Sequence, residues 1–143
     1  MHEGKFTRGL GLFYPTIYKK SKEMPDEDYP LMMVTGRMLY HYNTRAMTGR
    51  TEGLNEIVNS SYIEINEENA NIMGIKNGDR VKVSSRRGEL ETTALVGDKV
   101  GLDEVFMTFH FPDGNVNKVT NSVTDDIARI PEYKVCAVKV NKA

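Results

Sequence analysis

Two stretches of the chain hold residues of types able to recognise a polar ligand. The first is Thr35-Gly36-Arg37, followed by His41, Asn43, Thr44 and Arg45. Gly36 lets a backbone turn and approach a ligand closely. Arg37 and Arg45 offer rigid planar donors suited to a phosphate or to a heterocycle's carbonyl edge, and His41 and Asn43 each donate and accept. The second stretch is His110-Phe111-Pro112-Asp113-Gly114-Asn115-Val116-Asn117, in which amides beside an aromatic ring suit recognition of a flat polar ring. Both have a plainer reading. The first composition also describes a solvated loop, and the second an ordinary turn, since Asn, Asp, Gly and Pro favour turns on backbone grounds. Near the end, Lys134 is either a point charge for a phosphate or an exposed lysine at a strand start. Arg86-Arg87 reads as the solvated surface of a hairpin turn.

The catalytic patterns with a fixed spacing are absent. The chain has no Gly-x-x-x-x-Gly-Lys-Ser/Thr loop, no Gly-x-Gly-x-x-Gly turn, no His-Glu-x-x-His pair and no Gly-x-Ser-x-Gly elbow. Histidines at 2, 41 and 110 are a poor basis for a zinc site. One cysteine, Cys136, excludes an internal disulfide and a Cys-rich cluster, and its apolar neighbours predict a buried structural thiol. Nineteen Lys and Arg against twenty Asp and Glu give a net charge of -1, which argues against a nucleic-acid binder. No apolar run approaches a membrane span, and the start lacks an apolar signal-peptide core. The expectation is a soluble, cytoplasmic domain.

The elements that must position these residues follow from periodicity. Residues 1–30 form an arm and linker, with Pro25 and Pro30 near its end. Its Phe6, Leu10, Leu12, Phe13, Tyr14, Ile17 and Tyr18 are too apolar to be free in water, so the arm is expected to pack on the body, or else on something beyond it. The body, residues 31–143, opens with a buried strand at Leu31–Thr35, halted at Gly36, and residues 36–51 read as a loop. Thr51 has the side chain to cap a short helix through Leu54, Ile57 and Val58. A strand at Tyr62–Ile65 runs into a short helix capped by Asn66 at one end and by Gly74 and Ile75 at the other. Val81 and Val83, then Leu90, Ala94 and Val96, predict a hairpin. Val105–Phe109 reads as another buried strand, and Tyr133–Val140 as the last. Many short strands with one or two short helices predict a mainly β closed barrel.

Taken in order, these segments carry a resemblance. Thr35-Gly36-Arg37 with His41-Tyr42-Asn43-Thr44, then Asn66 to Gly74-Ile75 and Asn77-Gly78-Asp79, then Phe109-His110-Phe111 with Asn115 and Asn117, then Pro131-Glu132-Tyr133-Lys134, resemble the molybdopterin dinucleotide-binding domain of molybdenum and tungsten oxidoreductases, and most of all that of formate dehydrogenase alpha subunits. The resemblance extends over nearly the whole chain, from His2-Glu3-Gly4-Lys5 and the Tyr29-Pro30-Leu31 lead-in onward. It implies a double-psi β-barrel of the aspartate-decarboxylase-like class. It also implies a domain that closes an active-site funnel and contacts the pterin and phosphate parts of molybdopterin guanine dinucleotide. By position, Thr35, Gly36, Arg37, His41 and Asn43 would form the first contact segment, His110, Phe111 and Asn117 the second, and Tyr133 and Lys134 the third.

Iron–sulfur cysteines and a metal ligand have no counterpart here, so molybdenum or tungsten would be held by other domains. The expected partners are therefore the remaining domains of a parent catalytic subunit and iron–sulfur electron-transfer subunits. The parent would interconvert formate and carbon dioxide, and this domain alone would not turn over. Two alternatives stand beside this. One is a free-standing barrel subunit, as in formylmethanofuran dehydrogenases; the other is a non-enzymatic interaction module, which would scatter Arg37, His41 and Asn117 over unrelated faces. A pyruvoyl decarboxylase on the same barrel needs a Gly-Ser bond, and the sequence has none.

Overall fold

A computed structural model of the chain describes Gly4 and residues 6–143. The His2, Glu3 and Lys5 portion of the resemblance lies outside the described residues. Six strands, β1 (Leu31–Gly36), β2 (Tyr62–Asn66), β3 (Arg80–Ser85), β4 (Gly88–Gly97), β5 (Glu104–Thr108) and β6 (Val135–Lys142), close into a barrel in the order β1-β5-β2-β4-β3-β6. Two short helices, α1 (Glu52–Ile57) and α2 (Glu67–Met73), lie in the connections. The fold is a mainly β closed barrel of the double-psi class. Among the described residues, no helix is long and apolar enough to cross a membrane.

Period-two patterning builds the barrel wall, because successive side chains on a strand point to opposite faces. Leu31 and Met33 of β1, Ile63 and Ile65 of β2, Val81 and Val83 of β3, Leu90 and Ala94 of β4, Val105 and Met107 of β5, and Cys136, Val138 and Val140 of β6 fill the interior. Cys136 is fully buried, which pushes its thiol up to about 11. The short helix after β2 follows its caps. The Asn66 side chain accepts from the Glu68 amide at 2.9 Å, and Gly74 at φ 66° lets the Ile75 amide return to the Ala70 carbonyl at 2.8 Å. At α1, Thr51 serves through its carbonyl, which accepts from Leu54 and Asn55, and not through the expected hydroxyl cap.

Strand polarity decides where the loops go. β1 runs parallel to β5 and antiparallel to β6, β2 runs parallel to β4 and antiparallel to β5, and β3 is antiparallel to β4 and β6. Directions therefore alternate along the chain although spatial neighbours do not follow chain order. The β1–β2, β3–β4 and β5–β6 connections all emerge at one end of the barrel.

At that end the β5–β6 connection docks tightly. Asp113 Oδ2 accepts the Ser61 amide at 3.2 Å, and the Ser61 hydroxyl meets that of Thr92 at 2.8 Å. Gly114 lies so close that an added Cβ would fall 1.8 Å from Ser61 Oγ and 2.4 Å from Ser61 Cβ. Position 114 needs glycine for close approach.

The linker is fastened at the same end. Glu23 takes a bidentate grip on Arg87 at 2.5 and 2.9 Å and also accepts the Ala137 amide at 2.8 Å. Arg87 further donates to the Val119 carbonyl, while Arg86 pairs with Asp26 and lies over the Tyr29 ring. Arg86-Arg87 is thus a clamp on the linker, not free surface: the Arg87 and Glu23 side chains are only 25% and 13% exposed. Residues 6–20, by contrast, are exposed along their whole length. Charged and amide groups hold the linker from residue 21 onward.

Burial alone would push the Glu23 carboxyl up, but hydrogen bonds from Arg87 and Ala137 and the two guanidinium charges outweigh it and hold it below its ordinary value. A depressed carboxyl contributes stability that is present above its unfolded value and lost as pH falls through its folded one. Two outcomes are expected from chemical denaturation of the chain. Glu23→Gln should lower stability by about 2 kcal/mol at pH 7, the scale of hydrogen bonds to a charged group, with the difference shrinking below pH 4.5; a pH-independent difference would refute the clamp. Gly114→Ala should cost about 3 kcal/mol through overpacking, and Ser61→Ala should not rescue it, because the Ser61 Cβ is itself in the way.

Candidate cofactor-binding site

The end of β1 ties the expected contact segments together. The Thr35 amide donates to the Lys134 carbonyl at 3.1 Å and its hydroxyl to the Tyr133 carbonyl at 3.0 Å, while the Gly36 carbonyl accepts the Phe109 amide at 3.3 Å. The segment before β6 and the segment after β5 are therefore pinned to opposite sides of one dipeptide.

Beyond Gly36, His110 holds the β1–β2 loop. The Met38 amide donates to His110 Nε2 at 3.0 Å, which requires that nitrogen to be bare. The proton therefore sits on Nδ1, which donates to the Asn43 carbonyl. Burial pushes the His110 ring down; the Asn43 carbonyl works the other way, but nearby His41, Arg37 and Arg45 add to the fall, so the ring stays neutral at pH 7. His41 is equally enclosed. Its Nε2 donates to the Val58 carbonyl at 2.8 Å, and its Nδ1 meets the Thr48 hydroxyl at 3.0 Å. The edge of His41 packs against Phe111 at 5.4 Å between centroids, and the Arg45 guanidinium covers Phe111 at 4.8 Å. Both imidazoles thus have their ring nitrogens engaged by the protein itself.

Arg45 was weighed above only as a donor to ligand, and the structure gives it another task. It bonds Asn55 Oδ1 at 2.6 Å and the Asn59 carbonyl at 3.3 Å, fixing the loop to α1 and the segment after it. Asn43 and Arg45 both adopt positive φ, 47° and 64°. No periodic signal marks such residues. A side-chain amide at 43 is the one hint, since Asn tolerates the left-handed region.

What faces outward is a small set of donors. Arg37 is exposed, donates to Asn43 Oδ1 at 2.5 Å and lies 5.5 Å from the Tyr42 ring centroid. Tyr133 and Lys134 are also exposed, in the segment whose carbonyls Thr35 holds. Neither Arg37 nor Lys134 has a carboxylate partner among the described residues, although other cations of the chain do. Asn117 stands apart. It is exposed in a 3-10 turn (Val116–Lys118) at the same barrel end, where the Lys118 carbonyl lies against Gly88. Its side chain makes no hydrogen bond among the described residues, and its amide caps onto Asn115 Oδ1. Thr108 Oγ1, at the end of β5, is buried there without a partner among the described residues. Arg37 and Lys134, exposed and without a carboxylate among the described residues, suit an anionic ligand and do not suit a bare cation.

Comparison with known proteins bears on what that ligand is. Residues 31–137 match the family described as Molydopterin dinucleotide binding domain. The chain is 44% identical to the F420-dependent formate dehydrogenase subunit alpha of Methanocaldococcus jannaschii, covering 99% of this chain and 21% of that one. It is 39% identical to a nitrate reductase of Symbiobacterium thermophilum, covering 94% of this chain and 18% of that one. Acetylene hydratase from Pelobacter acetylenicus shares the fold, with a TM-score of 0.72 at 12% identity over 87% of this chain and 21% of that one. The chain thus spans about a fifth of the length of the curated relatives it matches. It belongs to the molybdopterin dinucleotide-binding domain family found in formate dehydrogenase- and nitrate reductase-type molybdoenzymes.

Proposed function

We propose that this chain is the cofactor-holding domain of a formate dehydrogenase-like oxidoreductase, and that the loop end of its barrel binds the pterin and phosphate parts of molybdopterin guanine dinucleotide. The observation that carries the reading is the hydrogen-bonded junction at Thr35-Gly36. It draws three separated segments together, with no carboxylate paired to Arg37 or Lys134 among the described residues. The non-enzymatic module, which would scatter Arg37, His41 and Asn117, is disfavoured by the family match over residues 31–137 and not by these three side chains, since His41 is buried and Asn117 stands apart. The formate reading leans on the relatives at 44% identity.

In this reading, Arg37 and Lys134 meet phosphate charge, Arg37 through its planar fork and Lys134 as a point charge. Asn117 and Tyr133 offer an amide and a phenol to the pterin edge. Thr35, Gly36, His41, Asn43, His110 and Phe111 shape and stiffen the cradle, with His41 and His110 acting through the loop backbone they hold. When bound, the metal–pterin group supplies the two-electron chemistry; this chain contributes binding, orientation and exclusion of water. Molybdenum or tungsten would be ligated by other domains, with iron–sulfur subunits as the electron partners, so the 143-residue chain alone should show no formate-dependent dye reduction.

The native protein, purified from its source and oxidised with iodine, should release a fluorescent pterin, and mild acid should release guanosine monophosphate. Elemental analysis then assigns the metal. Arg37→Gln and Lys134→Gln should each lower retained pterin about tenfold at equilibrium, the scale of one charge-assisted hydrogen bond, with secondary structure intact. Wild-type protein without pterin would sink the proposal.

A pH dependence follows from His110. Its folded value lies below the ordinary 6.5, so the stability it contributes is complete above that value and is lost as pH falls through the folded one. Protonation puts a second N–H where the Met38 amide needs an acceptor. Amide exchange at Met38, corrected for intrinsic rate, should accelerate on acidification below pH 6.5, and His110→Gln, which keeps an acceptor, should flatten that dependence.

A further inference from the structure

The arm before the linker has no use in the site as described, and its chemistry is specific. Leu10, Leu12, Phe13, Tyr14, Ile17 and Tyr18 are between 74% and 95% exposed. Six large apolar side chains within nine residues form a contiguous patch of the sort that marks an interaction surface. The backbone of residues 10–20 makes no hydrogen bond among the described residues, and every residue of that stretch is exposed. Arg8, Lys19 and Lys20 border the patch, and none of the three has a carboxylate partner among the described residues.

The anchoring of the linker fixes where this patch leaves the barrel. The Lys22 amide donates to Glu132 Oε2 at 3.3 Å and its ammonium pairs with Asp126 at 3.1 Å, while Glu23 is clamped by Arg87. Glu132 adjoins Tyr133 and Lys134. The arm therefore departs from the end of the barrel that carries the β5–β6 connection, beside Glu132, the residue before Tyr133. Relatives that match this chain from end to end are about five times as long, so most of their substance lies beyond the segment compared here.

We propose that residues 10–18 are a docking strip that seats in an apolar, acid-rimmed groove on the remaining domains of a longer parent polypeptide, on the side that covers the cofactor mouth. The proposal rests on the reading of this chain as one domain of a larger enzyme. The strip joins the domain to the rest across the site, and the Glu23–Arg87 clamp sets the angle at which it arrives.

The test is made on the native enzyme, with a benzoylphenylalanine photo-crosslinker placed at Phe13 and, separately, at Ile17. Cross-linked peptides should map to the same polypeptide, upstream of this domain, and carry acidic residues near the adduct. Trypsin should cut at Lys19 and Lys20 at least tenfold more slowly in the native enzyme than in the 143-residue chain. Adducts to the barrel itself or to a separate subunit, or a native polypeptide of only 16.2 kDa, would overturn the proposal. Pterin content of the same preparation separates the two claims. Upstream adducts in a pterin-free protein remove the cofactor reading and leave the strip; pterin-loaded protein with adducts only to the barrel does the reverse.

Discussion

The neutral imidazole of His110 is the tie on which the mouth of the barrel depends. It spans 72 residues of sequence to reach the Met38 amide and 67 to reach the Asn43 carbonyl, so one ring fixes two points in the first part of an aperiodic loop. That loop would otherwise be costly to hold still. Asn43 and Arg45 sit at positive φ, which disfavours an L-residue by about 1 kcal/mol or more. Such conformations persist only when surroundings over-determine them. Here they do: His110 takes the Asn43 carbonyl, Asn55 and Asn59 take the Arg45 guanidinium, and Phe111 lies beneath it. Loss of the bare Nε2 would release Met38, and with it the neighbouring Arg37.

Barrel closure does the remaining positioning. Because directions alternate along the chain, three connections share one end, and two of these, residues 37–61 and 109–134, are long. The connections at the other end, residues 67–79 and 98–103, are short and spend their residues on a capped helix and a turn. The parallel pairing of β1 with β5 brings Gly36 level with Thr108. The two long loops therefore start side by side, and β6, antiparallel to β1, delivers Tyr133 and Lys134 to the same point.

Strands and caps were legible in the sequence because they rest on local physics. Alternation at Val81 and Val83, the amide of Asn66 and the left-handed Gly74 each act within a few residues. The site loops were legible as donor-rich, and their pairing with a family pattern gave them order. Three features escaped because their causes are distant. Arg86-Arg87 looks solvated until Glu23, 64 residues away, is brought to it. His41 and His110 look like ligand-facing groups until backbone carbonyls from elsewhere engage them. The arm looks like a segment that packs on its own barrel or on something beyond it, and apolar content alone does not say which, because it shows only that a chain seeks cover and not where that cover lies.

Exposure of Arg37 and Lys134 bears on how the proposed site would hold a phosphate. In water, two unit charges about 4 Å apart attract by only about 1 kcal/mol, and the attraction rises several-fold as the effective dielectric falls. A cation left open to solvent therefore contributes little to a bound phosphate until a second surface excludes water from it. Arg37 and Lys134 are both exposed, Arg37 is held by Asn43, and neither cation has a carboxylate partner among the described residues. The proposed docking strip leaves from the end of the barrel that carries the β5–β6 connection. Covering the arm and drying the site would then be one event, in which the apolar strip supplies non-directional attraction and the fixed donors supply the geometry. In the proposed assembly, binding energy that is small in the separated domain would become large only once the mouth is covered.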